Sequence, residues 1–111
     1  MLSQDALIHV TTEDAWEGAA QSGWYLPPGF EAEGFIHCCH RSQLERVLGE
    51  HFAGRDDVLL LVLEGSLIAA DIRYERAGNG EDYPHIYGPI QPAAVTQSFS
   101  AARVNGEWQL P

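Results

Sequence analysis

The sequence predicts an α+β domain, because strand patterns and helix patterns follow one another in irregular order. Alternating or unbroken apolar runs of strand length are spread over the whole chain, and two segments with helical spacing lie among them. The dipeptide Asn105-Gly106 adds a strong hairpin signal near the end. With 111 residues, of which 45% are apolar, the chain is expected to form one domain over residues 1–111.

The first strand and the first helix are predicted next to each other. Residues 7–11 have strand character around His9, and Thr12 followed by two acidic residues indicates a helix start. Gly23 is predicted to end this helix. His9 and Thr11 are therefore expected beside a helix N-terminus, where free backbone N–H groups can meet an anion.

The next segment is predicted as a loop, a strand and a second helix. Residues 29–34 begin and end with glycine and are interpreted as a loop. Residues 35–39 form a second strand pattern around His37. A helix is expected from about Ser42, with an apolar stripe made of Leu44, Val47 and Leu48.

The second half of the chain is predicted to be mostly strand. Residues 58–63 are an unbroken apolar run, which indicates a central strand covered on both faces. Residues 72–75 alternate, so that Arg73 and Glu75 are expected on one face.

The end of the chain is predicted to contain a loop and a hairpin. Residues 77–84 carry two glycines and a proline and are interpreted as a mobile loop leading into His85. Two closing strands are expected at residues 95–101 and 104–110.

Charge and composition exclude several classes of function. The formal net charge is −10, and all six basic residues are arginine. Duplex nucleic acid is therefore an unexpected partner. Without lysine, Schiff-base chemistry and a Walker-type phosphate loop are excluded. A bound phosphate would have to be held by arginine or by backbone N–H groups.

The sequence predicts a cytoplasmic protein with no membrane partner. Its longest apolar run is too short to cross a bilayer, and the first residues have no basic segment followed by an apolar one. Cys38 and Cys39 are adjacent, and strand alternation turns their thiols apart, so both are expected to be reduced. The sequence carries no signal for an oligomeric state.

Three of the five histidines lie in short apolar strand patterns. His9, His37 and His85 are each expected on the strand face opposite their apolar neighbours. We hypothesise that the three imidazoles line one cleft, since imidazole suits proton transfer, recognition and metal ligation. His40 and His51 are interpreted as structural residues.

Three motifs carry a resemblance to a known family. They are His-Val-Thr-Thr at residues 9–12, Glu-Gly-Phe-Ile-His-Cys at residues 33–38, and Pro-His-Ile-Tyr-Gly-Pro at residues 84–89. In this order and spacing, and with a tryptophan-bearing helix after the first, the chain resembles domain-of-unknown-function family 952. The resemblance extends over nearly the whole chain.

The resemblance implies a fold similar to the ADP-ribosyltransferase-like α+β domain, with a split, bent mixed sheet and two main helices. In that larger group a His-x-Thr motif on the first strand orients the nicotinamide ribose of NAD, and His9 with Thr11 matches it. A tyrosine or serine and a later glutamate complete such sites. Tyr87 and Glu75 are candidates for these positions by residue type and strand setting.

The chemistry of an N-glycosidic bond points to the same residues. Its cleavage passes through an oxocarbenium-like state that needs a nearby carboxylate, for which Glu75 is the candidate. Thr11 is suited to bind sugar hydroxyls and Arg73 to bind a phosphate, while His37 and His85 are expected to contact the ligand. The plain alternative is that Arg73 and Glu75 form a surface pair of little energetic value.

Two other functions remain open at the level of sequence. The domain could bind NAD, a nucleotide or a small nucleotide-like ligand without transforming it, with stacking surface from Trp24, Tyr25 and Tyr87. A metal-binding protein is a lesser alternative. His37 and His40 with a neighbouring cysteine, completed by His9 or His85, would supply ligands, but no Cys-x-x-Cys or His-Glu-x-x-His motif occurs, so no metal is expected.

Overall fold

A computed structural model describes residues 2–111, apart from the side chain of Ala20. This part of the chain forms eight strands and three α-helices. Their bounds are β1 Leu7–Thr11, α1 Glu13–Ser22, α2 Phe30–Glu33, β2 Ile36–His37, β3 Cys39–His40, α3 Leu44–His51, β4 Asp57–Leu63, β5 Ile72–Arg76, β6 Asp82–Ile86, β7 Val95–Val104 and β8 Glu107–Trp108. The α+β class is therefore confirmed.

The strands form two separate sheets. One has the order β3-β1-β4-β7-β8 and the other the order β2-β6-β5. Every strand pair within residues 2–111 is antiparallel, so the expectation of a mixed sheet is wrong. A parallel pair needs a crossover that returns to the same sheet, whereas the chain leaving β1 through α1 and α2 enters β2 in the other sheet.

The predicted strand at residues 35–39 is divided between the two sheets. Ile36 pairs with Ile86 of β6, whereas Cys39 pairs with Ile8 of β1. At the intervening Cys38, the backbone N–H donates to the carbonyl of Pro84. One continuous extended segment thus joins the sheets, and the prediction of a single strand is wrong because its two halves have different partners.

The two cysteines face different parts of the core. Both thiols are free and buried. Cys38 packs in the cluster that contains Tyr25 and Ile36, and Cys39 packs in the cluster that contains Ile8 and Leu44. The predicted divergence of the thiols is confirmed, and burial raises the pKa of both.

The ends of the helices follow local rules. The Thr12 side chain accepts from the N–H of Ala15, and Gly23 ends α1 with φ of 83°. The predicted loop at residues 29–34 is wrong, because it contains the single helical turn α2. Gly34, with φ of 85°, closes that turn by donating its N–H to the Phe30 carbonyl. In the described residues no helix is long and apolar enough to cross a membrane.

The centre of the larger sheet has the predicted arrangement. Strand β4 lies between β1 and β7, and its residues 58–63 are all buried. The second predicted helix is also confirmed, because α3 buries Leu44 and Leu48 after a short 3-10 turn, Arg41–Gln43.

The end of the chain confirms one prediction and corrects another. Asn105 and Gly106 have φ values of 53° and 81° and connect β7 to β8, as the hairpin signal predicts. The predicted loop at residues 77–84 is too long, since β6 begins at Asp82. Its residues pair with β5, so that the connection is confined to residues 77–81.

Candidate functional site

The main cavity lies where the two sheets separate. Its volume is about 930 Å³, and its lining comes from β1, β2, β6, α3 and the segments beside them. Strand β1 pairs with β3 only through Leu7 and Ile8, so the remaining edge of β1 faces this space. His9, His37 and His85 all line the cavity. The hypothesis that the three imidazoles share one concavity is therefore confirmed geometrically.

His9 is held at both ring nitrogens by the protein. Its Nδ1 lies 2.6 Å from the carbonyl oxygen of His37, and its Nε2 lies 2.8 Å from the hydroxyl of Tyr25. The Thr11 hydroxyl is 2.7 Å from the same Tyr25 oxygen. Because a carbonyl only accepts, Nδ1 carries the proton, Tyr25 donates to Nε2, and Thr11 donates to Tyr25. We call these three side chains the His9 network.

The His9 network is buried, and the bond from His9 to the His37 carbonyl connects the two sheets. His9 is 5% exposed, and Tyr25 is fully buried. Burial lowers the pKa of His9 to about 4 and raises the pKa of Tyr25 to about 12. His9 is thus neutral near pH 7. Tyr25 covers this face of β1, because its ring packs edge-on against the His9 ring.

Glu75 and Tyr87 meet beside His85. The Nδ1 of His85 lies 2.8 Å from Oε1 of Glu75, and the hydroxyl of Tyr87 donates to the same carboxylate oxygen. These hydrogen bonds lower the pKa of Glu75, with the Tyr87 hydroxyl as the largest cause, and raise the pKa of Tyr87. Glu75 is therefore held as a carboxylate and Tyr87 as a neutral donor. We call these three residues the Glu75 network.

The register of the smaller sheet explains how the Glu75 network forms. His85 stands opposite His37 on one side and opposite Arg73 on the other. Directly opposed residues of antiparallel strands share a face, and so do residues two apart along one strand. Arg73 and Glu75 therefore share a face, as the alternation predicts, and the strand pairing places His85 on that face too.

Three rings form an aromatic wall, which consists of Phe35, His37 and His85. Phe35 stacks on His85 with a centroid separation of 4.1 Å and an interplanar angle of 16°. The His37 ring stands edge-on to both, at 4.7 Å from Phe35 and 5.3 Å from His85. All three residues line the main cavity, so the wall offers ring faces, ring edges and imidazole nitrogens to a ligand.

Arg73 does not belong to this lining. Its guanidinium carbon lies 4.5 Å from the centroid of the Tyr87 ring, and one of its nitrogens lies 3.6 Å from a carboxylate oxygen of Asp71. Within residues 2–111 the cavity lining includes neither Arg73, Glu75 nor Tyr87. Glu75 and Tyr87 are connected to the cavity through His85.

None of the three residues predicted to supply a stacking surface lines the cavity. Tyr25 is fully buried as a partner of His9, and Tyr87 lies under Arg73. Trp24 is 49% exposed but does not line the cavity. The sequence analysis did not predict that the Tyr25 hydroxyl bonds to His9, or that the Phe35 ring lines the cavity. The pattern Phe-Ile-His at residues 35–37 signals the role of Phe35, because alternation puts Phe35 and His37 on one face.

The groups considered for a metal site are distributed over the two sheets. His40 binds the carbonyl of Asp5 and the hydroxyl of Tyr74 through its two ring nitrogens. Nowhere in the described part of the chain do three His, Cys, Asp or Glu side chains come together in a geometry suited to a metal ion. His51, interpreted from sequence as structural, ends α3 and also lines the main cavity.

The fold and cavity define an α+β domain of two antiparallel sheets, and the same fold occurs in protein CC0527 from Caulobacter crescentus. Its crystal structure matches with a TM-score of 0.83 at 24% identity, over 94% of this chain and 93% of that chain. Its solution NMR structure matches with a TM-score of 0.78 at 22% identity, over 94% and 90%. At this identity the similarity shows the fold alone.

The family is shown by sequence. The profile described as protein of unknown function (DUF952) matches residues 10–98, and the chain belongs to that family. This confirms the resemblance carried by the three motifs. A search among curated proteins gives no match.

Proposed function

We propose that the main cavity binds a nucleoside-type ligand, for which the nicotinamide riboside part of NAD is the reference. The observation that carries the proposal is the aromatic wall of Phe35, His37 and His85 at one side of the cavity. Stacking on aromatic side chains is a general way to hold a base. Imidazole nitrogens beside the stacked ring are suited to bind ribose hydroxyls.

The size and position of the cavity support this proposal. A volume of about 930 Å³ lies within the range of small-molecule sites, which is roughly 300–1,000 Å³. The cavity lies between two sheets, as a nucleotide cleft does in the ADP-ribosyltransferase-like fold. We therefore propose that this domain is related to the ADP-ribosyltransferase-like fold, and that His9 and Thr11 correspond to the His-x-Thr motif on the first strand of that group.

The roles of the site residues follow from which atoms remain accessible. Both nitrogens of His9 are bonded within the protein, and so is the hydroxyl of Thr11. A ribose hydroxyl at His9 would have to replace Tyr25. His85 uses only Nδ1 for Glu75, so we assign direct ligand contact to His85 and His37. The His9 network fixes the edge of β1 beside them.

The Glu75 network supports a second candidate function, hydrolysis of the N-glycosidic bond of the bound nucleoside. Glu75 is kept ionised by two hydrogen bonds, and through its bond to Nδ1 its charge stabilises the imidazolium that forms when His85 accepts a proton. In this reaction nicotinamide leaves with the bonding electron pair, water adds to C1′ of the ribose, and the Nε2 of His85 accepts the proton from water. Tyr87 holds Glu75 in position.

Isothermal titration calorimetry tests the binding proposal. We expect the protein to bind nicotinamide riboside or NAD, and Phe35→Leu to weaken the binding about tenfold by removing a stacked ring while keeping apolar volume. The matched control is Tyr74→Leu, which removes a ring stacked on His40 away from the cavity. Absence of heat with nicotinamide riboside, NAD and ADP-ribose would refute the proposal.

Release of nicotinamide, measured by chromatography, tests the second candidate. Glu75→Gln is expected to abolish release and to leave binding within about threefold of wild type, because Glu75 lies outside the cavity lining. Release that continues unchanged in Glu75→Gln would remove Glu75 from the mechanism. Binding without any release by the wild-type protein would leave a non-catalytic binding module.

A further inference from the structure

We infer that the ligand of the main cavity is a cationic aromatic nucleoside that carries no phosphate group. The inference rests on the proposed function and specifies the ligand class for the same site. It differs from the expectation that Arg73 binds a phosphate. It is supported by the charged groups around the cavity, because the lining within residues 2–111 contains glutamates and no arginine.

The arginines are engaged with acidic side chains elsewhere. Each of the six lies within 4.0 Å of a carboxylate in the described residues. The pairs are Arg41 with Glu45, Arg46 with Glu81, Arg55 with Asp57, Arg73 with Asp71, Arg76 with Asp82 and Arg103 with Asp56. Across residues 2–111 no arginine lines the main cavity. A pyrophosphate in the cavity would therefore have no guanidinium partner.

The formally charged side chains in the lining are acidic. Glu33 and Glu50 line the cavity from α2 and α3. Glu33 lies 3.4 Å from Nε2 of His37 in the aromatic wall. The chain as a whole has a net charge of −10, so both the local and the long-range potential favour a cation over an anion.

The helix end at the cavity is also unsuited to an anion. Thr12 lines the cavity at the start of α1, but its side chain already accepts from the N–H of Ala15. Glu13 and Asp14 occupy the first turn and compensate the helix dipole. A phosphate at this helix end would lie beside two carboxylates. This arrangement disfavours the anion that the sequence analysis expects at the N-terminus of α1.

The aromatic wall favours a cationic ring for an independent reason. Ring faces attract a cation through the quadrupole of the π system. The pyridinium ring of nicotinamide riboside combines a positive charge with a flat face, and its ribose hydroxyls can meet the imidazole nitrogens of His37 and His85. The acidic lining and the stacked rings therefore select the same chemical class.

Calorimetric titration with three ligands tests the inference: nicotinamide riboside, its 5′-phosphate and NAD. We expect the riboside to bind about tenfold more tightly than the 5′-phosphate, and NAD to bind no more tightly than the 5′-phosphate. NAD or the 5′-phosphate binding more tightly than the riboside would overturn this inference and leave the proposed function standing. No binding by any of the three would overturn both.

Removal of the two carboxylates in the lining tests whether they cause the preference for the riboside over its 5′-phosphate. Glu33→Gln and Glu50→Gln, combined in one protein, are expected to reduce riboside affinity about fivefold and to narrow its advantage over the 5′-phosphate. The matched control Glu17→Gln removes an exposed carboxylate of α1 outside the cavity and should leave the preference unchanged. An undiminished preference in the double variant would also overturn the inference.

Discussion

His9 and His85 line the same cavity, but different groups hold their rings. His9 is 5% exposed, and its two nitrogens are bonded to a backbone carbonyl and to the Tyr25 hydroxyl. His85 is bonded through Nδ1 to Glu75, while its Nε2 has no hydrogen-bond partner within residues 2–111. A ring bonded at both nitrogens stabilises the fold, whereas a ring oriented by a carboxylate at one nitrogen keeps the other for a ligand.

The largest expected effect concerns the stability of the fold. His9→Ala should lower the free energy of unfolding by about 4 kcal/mol, because it leaves a cavity and removes the partners of the Tyr25 hydroxyl and the His37 carbonyl. His85→Ala, the matched variant, should cost about 1 kcal/mol, because its position is partly exposed. Urea unfolding measures both, and equal losses would contradict the comparison.

A smaller effect should follow removal of one buried hydroxyl. Tyr25→Phe should lower the free energy of unfolding by about 2.5 kcal/mol, because His9 and Thr11 lose their shared partner in a buried setting. Tyr74→Phe removes a hydroxyl bonded to His40 in an exposed setting and should cost under about 0.5 kcal/mol. If thermal and urea unfolding gave the same loss for both tyrosines, the His9 network would not be a structural connection.

The pKa of His9 predicts a pH dependence of stability. Its folded pKa of about 4 lies below its usual value of 6.5, so the unfolded chain binds the extra proton between these values. Stability is therefore retained above about pH 6.5 and lost as the pH falls toward 4, with about 2 kcal/mol lost between pH 7 and pH 5. Urea unfolding at the two pH values should show this loss in wild type and a smaller loss in His9→Gln. Equal losses would contradict the prediction.

The smallest expected effect concerns Arg73. Arg73→Ala should change NAD affinity by less than about twofold, because its guanidinium lies over Tyr87 and near Asp71 rather than in the cavity. Calorimetric titration of wild type and variant compares the two affinities. A loss of tenfold or more would restore the sequence-based expectation that Arg73 binds a phosphate.

Local signals predicted those parts of the fold that depend on neighbouring residues. Thr12 and Gly23 mark the ends of α1 through their own backbone geometry, and Asn105 with Gly106 forms its turn without distant contacts. The division of the segment from Ile36 to His40 between two sheets depends on strands far away in sequence. No local pattern contains that information.

In the candidate site, too, the sequence predicted local features and did not predict contacts between distant residues. Alternation predicted that Arg73 and Glu75 share a face, and the strand pairing added His85 to it. The partner of His9 is Tyr25, sixteen residues along the chain, in an aromatic run that from sequence suggests a stacking surface. Only the packing of that segment against β1 decides that its hydroxyl is a structural donor.

Long-range proton–nitrogen correlation spectra of the histidine rings, recorded during titration with nicotinamide riboside at pH 7, test the comparison most directly. We expect the ring-nitrogen resonances of His37 and His85 to shift with ligand, while His9 keeps the resonances of a neutral ring protonated at Nδ1. A ligand-dependent shift at Nε2 of His9, with His85 unchanged, would contradict it.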